Sequence, residues 1–286
     1  MKFVSYRNAG ALRLGVLDGE SVIDLNAAQP QVPADLGAAL LAGVDVVAAG
    51  KAALASGAVR TPLAGLSYAP CVVRPGKIVC LGLNYYDHAK EGGRDKPDYP
   101  WFFFRGASSL VAHGEAGIRP RVSERFDYEA ELAVVIGTRA RHLSEADALG
   151  CVFGYSCFND MSVRDYQKKT PQWTIGKNFD GTGGFGPVLV TADELPPGAT
   201  GLKIQSRLNG RVMQDANTTD MIWGVAETIA LLTECMTLEP GDVIIMGTPA
   251  GVGQARTPPV WMKDGDTIEI DIERVGVLSN PIRNEA

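Results

Sequence analysis

Apolar and polar positions alternate in short runs through the first quarter of the chain. Phe3-Val4-Ser5-Tyr6-Arg7, the run from Leu12 to Leu17 and Val22-Ile23-Asp24-Leu25 have strand length and strand character, with turn residues at Asn8-Ala9-Gly10 and Asp18-Gly19-Glu20 between them. An Ala-, Leu- and Val-rich stretch from Pro33 to Ala55 predicts one or two helices. This part holds no cluster of acids, histidines or serines, so it reads as a structural or interface unit. Arg74-Pro75-Gly76 punctuates the chain, and Lys77-Ile78-Val79-Cys80-Leu81-Gly82 starts a new core strand. Two domains are expected: a small N-terminal α/β domain over residues 1–72 and a larger one over 73–286.

In the larger part strand patterns dominate, at Trp101 to Phe104, Glu131 to Ile136, Val188 to Thr191, Lys203 to Leu208, Val243 to Met246 and Thr267 to Ile272. Helical spacing is confined to Ser144 to Ala148, Ser162 to Lys168 and Gly224 to Cys235. Strands outnumber helices and do not alternate with them, which disfavours a parallel βαβ sheet and predicts a β-rich α+β fold. Asn209-Gly210 after an alternating run marks a tight hairpin.

Composition narrows the function classes. Hydrophobic residues at 45% and charged residues at 21% suit a soluble globular protein. A net charge of −6 leaves no basic footprint for nucleic acid or an anionic membrane. No apolar run approaches the ~20 residues that span a bilayer, and the N-terminus lacks a signal-peptide core, so a cytoplasmic location is expected. Cys71, Cys80, Cys151, Cys157 and Cys235 form an odd set without a CxxC pair and read as reduced, small core residues. With three histidines in all (His88, His113 and His142), a His-rich zinc site is not expected.

The most informative stretch is Asp127-Tyr128-Glu129-Ala130-Glu131, which runs into the apolar Leu132 to Ile136. A strand period of two puts Glu129 and Glu131 on one face, with Asp127 one step earlier. Like-charged carboxylates on the wall of a core strand repel and lose solvation, and a cation offsets that cost. A solvated face of an edge strand is the alternative. Asp160, at the end of the apolar segment Cys151 to Tyr155 and the following Phe158-Asn159, supplies a third acid. An all-carboxylate set suits Mg2+ or Mn2+, and Ca2+ is able to take the same oxygens.

Other positions carry weaker signals. His88 and Glu91 are three apart, so on a helix the carboxylate would orient the imidazole as a general base, and Gly92-Gly93 would let the segment move as a lid. Arg164 and Gln167 share a helix side and suit a substrate carboxylate, although an ion pair with Asp165 would use Arg164 equally well. Lys177 lies between apolar and glycine residues, where it would stabilise an oxyanion or simply be solvated. The loop Gly247-Thr248-Pro249-Ala250-Gly251-Val252-Gly253 lacks a phosphate-loop pattern and is expected to offer the Thr248 hydroxyl and backbone N–H groups to a substrate. Pro97 to Arg105 is aromatic and reads as a core strand or a pocket wall.

GLNYYDHAKE, FDYEAELAVVIG, FNDMSVRDYQ, WTIGKNFD and PGDVIIMGTPAGVG occur in this order. Together, from about residue 75 to residue 283, they resemble the fumarylacetoacetate hydrolase family, in particular its bacterial acylpyruvase-like members. The resemblance implies a mixed β-sandwich roll in a homodimer, a Mg2+ or Mn2+ site at Glu129, Glu131 and Asp160, and lid residues His88 and Glu91. It implies substrate contacts at Arg164, Gln167 and Thr248, and an active-site lysine at Lys177. Many relatives carry lysine where this chain has Arg105, which is expected at the distal end of the substrate; a guanidinium and an ammonium are not interchangeable there.

The implied reaction is hydrolysis of the bond between carbons 3 and 4 of a 2,4-dioxo acid of the acylpyruvate or fumarylpyruvate type, a small oxo-acid, to pyruvate and a carboxylic acid. Oxaloacetate decarboxylation and 2-hydroxy-dienoate isomerisation are alternatives at the same site, neither needing an activated water. A binding protein that kept the fold without turnover is a third.

Overall fold

A computed structural model of the chain describes residues 1–93 and 96–286. The architecture is the expected β-rich α+β fold: two mixed sheets face one another and both stay open. Among the described residues the main path of the larger sheet runs Arg60–Pro62, Ser21–Asp24, Ala11–Asp18, Lys2–Asn8, Gly183–Thr191, Val152–Asp160, Ala130–Ile136, Val243–Ile245, Ile78–Gly82 and Trp101–Phe104. The smaller sheet runs Arg211–Asn217, Lys203–Leu208, Thr267–Ile272, Gly276–Asn284 and Gly117–Arg119. Asn209 and Gly210 take φ of 51° and 77° to join its first two strands, the left-handed pair that a two-residue hairpin needs.

The N-terminal strands belong to the larger sheet, because Lys2 pairs with Val190 and Phe3 with Leu189. The helices Leu36–Leu41 and Val46–Ala55 start where Asp35 and Asp45 accept from the Ala38 and Ala48 N–H groups, each at 2.9 Å. Their Leu36, Ala39 and Val46 share one apolar core with Leu14 and Ile23 of the N-terminal strands and with Ala133 and Val135. The opposite face of that last strand, Leu132, Val134 and Ile136, packs with Ile204, Ile268 and Ile270 of the smaller sheet. Every residue of Ala130–Ile136 is therefore buried, and the two-residue period sends Glu131 to the Ala133 and Val135 side.

Register places the third acid. Ala130–Ile136 runs antiparallel to Val152–Asp160, with Ala130 opposite Asn159 and Glu131 opposite Phe158. The Asp160 N–H then donates to the Glu129 carbonyl at 3.0 Å.

Two expectations are corrected. The helix expected from Ser162 is confined to Arg164–Gln167, because Ser162 and Val163 pair as a short strand with Phe126 and Asp127. Cys235 is exposed at the end of the helix Val225–Cys235, while Cys71, Cys80, Cys151 and Cys157 are buried. No described helix is long and apolar enough to cross a membrane.

Candidate active site

Glu129, Glu131 and Asp160 are buried, and one carboxylate oxygen of each lies within 4.8 Å of the others. Three buried cations surround them. The Lys177 ammonium bridges Glu129 Oε2 at 2.5 Å and Asp160 Oδ2 at 2.6 Å. Arg164 Nη1 lies 2.7 Å from Glu129 Oε1, and Arg105 donates to Asp160 Oδ1. Burial works against a charged Glu129, but Arg164 and Lys177 outweigh it and hold that carboxyl down at about 2. Glu131 has no ion pair among the described residues, although the nearby Lys177 charge favours its ionised form. Burial and the neighbouring charges of Asp160 and Glu129 push its carboxyl well above the usual range, against the Gly247 N–H that donates to it at 2.6 Å. Three hard oxygen donors, one of them in need of positive charge, fit a divalent ion such as Mg2+ or Mn2+.

A second layer ties the glycine-rich loop to these acids. Asp127 accepts from Arg164 Nε at 2.8 Å and from the Gly253 and Gln254 N–H groups at 2.7 and 3.0 Å. The Gly251 N–H donates to Glu91 at 2.9 Å. The Gly247, Gly251 and Gly253 N–H groups thus hold protein carboxylates, so these three are not offered to a substrate as the loop was expected to offer them. Thr248 does line the cleft, and its hydroxyl accepts from Gln214 Nε2 at 2.7 Å. Gln214 also accepts the Ala130 N–H at 3.0 Å, so one amide joins the smaller sheet, the acid-bearing strand and the loop.

His88 and Glu91 lie on the helix Tyr86–Glu91, with Nδ1 and Oε2 3.3 Å apart. The chain leading into the helix is pinned by buried Asn84, which donates to the Trp223 and Met246 carbonyls and accepts the Trp223 N–H. Arg164 is buried and does not pair with Asp165. Its Nη1 donates to Gln167 Oε1 at 3.0 Å, and its Nη2 has no hydrogen-bond partner among the described residues.

Glycine sets two close approaches. A Cβ on Gly176 would stand 2.4 Å from the Gln167 backbone N, so only glycine lets the helix Thr174–Lys177 press on Arg164–Gln167 and deliver Lys177 to the triad. A Cβ on Gly82 would stand 2.0 Å from the Trp173 ring, which lies across that strand.

The resulting cleft, about 760 Å³, is lined by His88, Glu91, Glu129, Glu131, Arg164, Gln167, Lys177 and Thr248, with Trp101, Phe103 and Trp173 on one wall. Eight of the ten residues singled out from the sequence thus line one cleft, and Asp160 lies behind it, joined to it by Lys177. Arg105 is placed elsewhere. It does not line the cleft but lies behind Asp160, where Nη2 donates to Thr182 at 2.9 Å and Nε to Ser109 at 3.3 Å. A larger open hollow of about 920 Å³ beside Tyr6, Asp24 and Thr61 has one carboxylate, and Asp24 caps the helix Leu25–Ala28.

Residues 77–283 match the C-terminal domain of fumarylacetoacetate hydrolases. The chain belongs to the fumarylacetoacetate hydrolase family. It is 39% identical to a mitochondrial oxaloacetate tautomerase of Homo sapiens over 93% of this chain and 85% of the human protein. A fumarylacetoacetate hydrolase from psychrophilic Exiguobacterium antarcticum is 35% identical over the whole of both chains, with a TM-score of 0.86. The maleylpyruvate hydrolase of Sphingobium sp. SYK-6, solved with manganese(II) and pyruvate, is 30% identical over the whole of both chains, with a TM-score of 0.83. Family members thus include hydrolases and tautomerases, which supports an enzyme here, and the manganese complex together with the buried acids supports divalent-metal binding.

Sequence reasoning passed over the anchoring roles of Asp127 and Gln214. Asp127 had a signal, since it shares the two-residue period of Glu129 and Glu131. Gln214 had none, because its contacts come from a different sheet.

Proposed function

We propose that this protein is a Mg2+- or Mn2+-dependent hydrolase that cleaves the bond between carbons 3 and 4 of a 2,4-dioxo acid to give pyruvate and a carboxylic acid. The observation that carries the reading is His88, backed by Glu91, facing the carboxylate triad across one cleft. A divalent ion held by Glu129, Glu131 and Asp160 would act as a Lewis acid on the 2-oxo-acid end of the substrate. Arg164 has an unused Nη2 for the substrate carboxylate, with Gln167 and Thr248 beside it to fix orientation. His88 takes a proton from water, Glu91 orients the ring and stabilises the imidazolium, and the hydroxide adds to carbon 4. Lys177 stabilises the oxyanion. The bond between carbons 3 and 4 then breaks, its electrons pass to the pyruvate fragment, and carbon 3 takes up a proton.

Tautomerisation of a 2-oxo acid is the second reading, favoured by the oxaloacetate tautomerase relatives. There His88 would move a proton to or from carbon 3 without water adding. A panel of 2-oxo and 2,4-dioxo acids with Mg2+ and with Mn2+, scoring pyruvate, CO2 and enol absorbance separately, distinguishes the two. Enol decay without pyruvate release would replace the hydrolase reading. Arg105 in this proposal supports Asp160 instead of touching substrate. A cytoplasmic homodimer is part of the same proposal, and exposed Phe104, on the sheet's edge strand, and Ile175 are suited to a subunit contact.

A further inference from the structure

The cleft is also lined by Lys168 and Lys169, which are exposed at its rim next to Arg164 and Gln167 in the chain. The Lys168 N–H donates to the Arg164 carbonyl at 3.2 Å, so Lys168 stands one helical turn past Arg164. The two cations differ in what surrounds them. Arg164 is neutralised by Asp127 and Glu129. Lys169 lies over the Tyr166 ring, 3.3 Å from its centroid. Lys168 pairs with no carboxylate among the described residues, although it lines the same cleft.

Partial burial and the charges of Arg164 and Arg125 lower the Lys168 pKa, with Asp127 opposing them. An ammonium with guanidinium groups nearby and no carboxylate of its own is relieved by an anion brought to it. Trp101, Phe103 and Trp173 form an apolar flank of the same cleft, and Trp101 and Trp173 have ring centroids 5.3 Å apart. Such a flank accepts a flat, conjugated carbon chain and offers it no charge.

We propose that Lys168 reads a second carboxylate at the far end of the substrate, so that this cleft prefers an elongated 2-oxo dicarboxylic acid over a monocarboxylic acid of the same length. The inference rests on the reading above that the 2-oxo-acid end sits at the triad. With that end fixed, the chain lies along the aromatic flank and its distal carboxylate meets an ammonium that has no counter-ion among the described residues.

The test uses two 2,4-dioxo acids of matched length, one ending in a carboxylate and one in a methyl group, with wild type, Lys168→Met and Lys168→Arg. A hydrogen bond to a charged group supports an expected loss of about 10- to 100-fold in kcat/KM for the dicarboxylate in Lys168→Met, mainly through KM. The methyl-ended acid should change by less than about 3-fold, and Lys168→Arg should keep most of the preference. Equal losses on both acids, or no loss on either, overturn the proposal. Calorimetric titration of the Mn2+-loaded protein with both acids gives a readout that needs no turnover. Binding of the dicarboxylate that depends on Lys168, without hydrolysis, would sink the hydrolase reading and uphold the lysine. Hydrolysis with no distinction between the two acids would do the reverse.

Discussion

Arg164 Nε donates to Asp127 Oδ2 at 2.8 Å, and the same carboxylate caps the N–H groups of Gly253 and Gln254. One buried acid therefore fixes both the guanidinium that faces the cleft and the end of the glycine-rich loop. Asp127→Asn keeps an acceptor but removes the charge, leaving Arg164 with Glu129 alone. We expect the variant to lose about 3 kcal/mol of stability, by analogy with breaking a buried ion pair. It should also lose on the order of 10- to 100-fold in kcat/KM from the misplaced guanidinium. Chemical denaturation and steady-state kinetics on the same preparation check both.

Glu131 makes the metal-free protein sensitive to rising pH. Its folded-state carboxyl is pushed up by burial and by the charges of Asp160 and Glu129, above an ordinary value of 4.5. Its contribution is thus fully present below the ordinary value and is lost as pH rises toward the folded one. Glu129, held down at about 2, works the other way: its contribution is present above 4.5 and lost as pH falls through about 2. Divalent metal removes the Glu131 penalty by replacing its proton, so metal affinity should rise with pH and binding should release protons. Glu131→Gln should abolish the metal-induced rise in Tm and raise the metal-free Tm above that of wild type at neutral pH, where wild type carries the Glu131 penalty, with the two converging as pH falls below 4.5. Scanning calorimetry with and without Mn2+, and titration in buffers of different ionisation enthalpy, measure these effects.

His88→Ala should lower turnover by about 10²- to 10⁴-fold, the usual range for losing a general base. Binding of oxalate, which needs only the triad and the metal, should change little. A large loss of oxalate affinity would mean that the helix Tyr86–Glu91 shapes the site and does not supply the base. Glu91→Gln should give a smaller fall in turnover, because it weakens the contact that orients the His88 ring.

Gly176→Ala tests how Lys177 is delivered. The added carbon would meet backbone 2.4 Å away, and backbone cannot swing aside like a side-chain tip. Expected are a stability loss of about 1–3 kcal/mol from overpacking and a fall in kcat larger than in Lys177→Arg, which keeps the charge. Thermal denaturation with kinetics on both variants decides it.

Much of the site is legible in the chain because its acids obey a local rule. Glu129 and Glu131 are spaced as on one strand face and do converge, although the strand proper is Ala130–Ile136 and Asp127 pairs in the separate strand Phe126–Asp127. His88 with Glu91 and Arg164 with Gln167 share the period of a helix. Such periods survive without tertiary information because side-chain direction follows from backbone geometry alone. The Asn209-Gly210 hairpin is legible for the same reason, since few residue pairs tolerate two successive positive φ values. Ordered motifs likewise carry the family.

What each charge faces was decided only by the fold. Arg105 ends an aromatic strand in the sequence, and nothing local indicates that it reaches behind Asp160 and not into the cleft. The loop N–H groups turn toward Asp127, Glu131 and Glu91 because strands distant in sequence bring those acids within hydrogen-bond reach. Lys168 has no special pattern of its own, and only the fold gives Asp127 and Glu129 to Arg164 and leaves Lys168 without an ion pair among the described residues. Local periodicity determines which face a side chain takes. Partners separated by many residues are chosen by sheet register and packing, which depend on the whole chain at once.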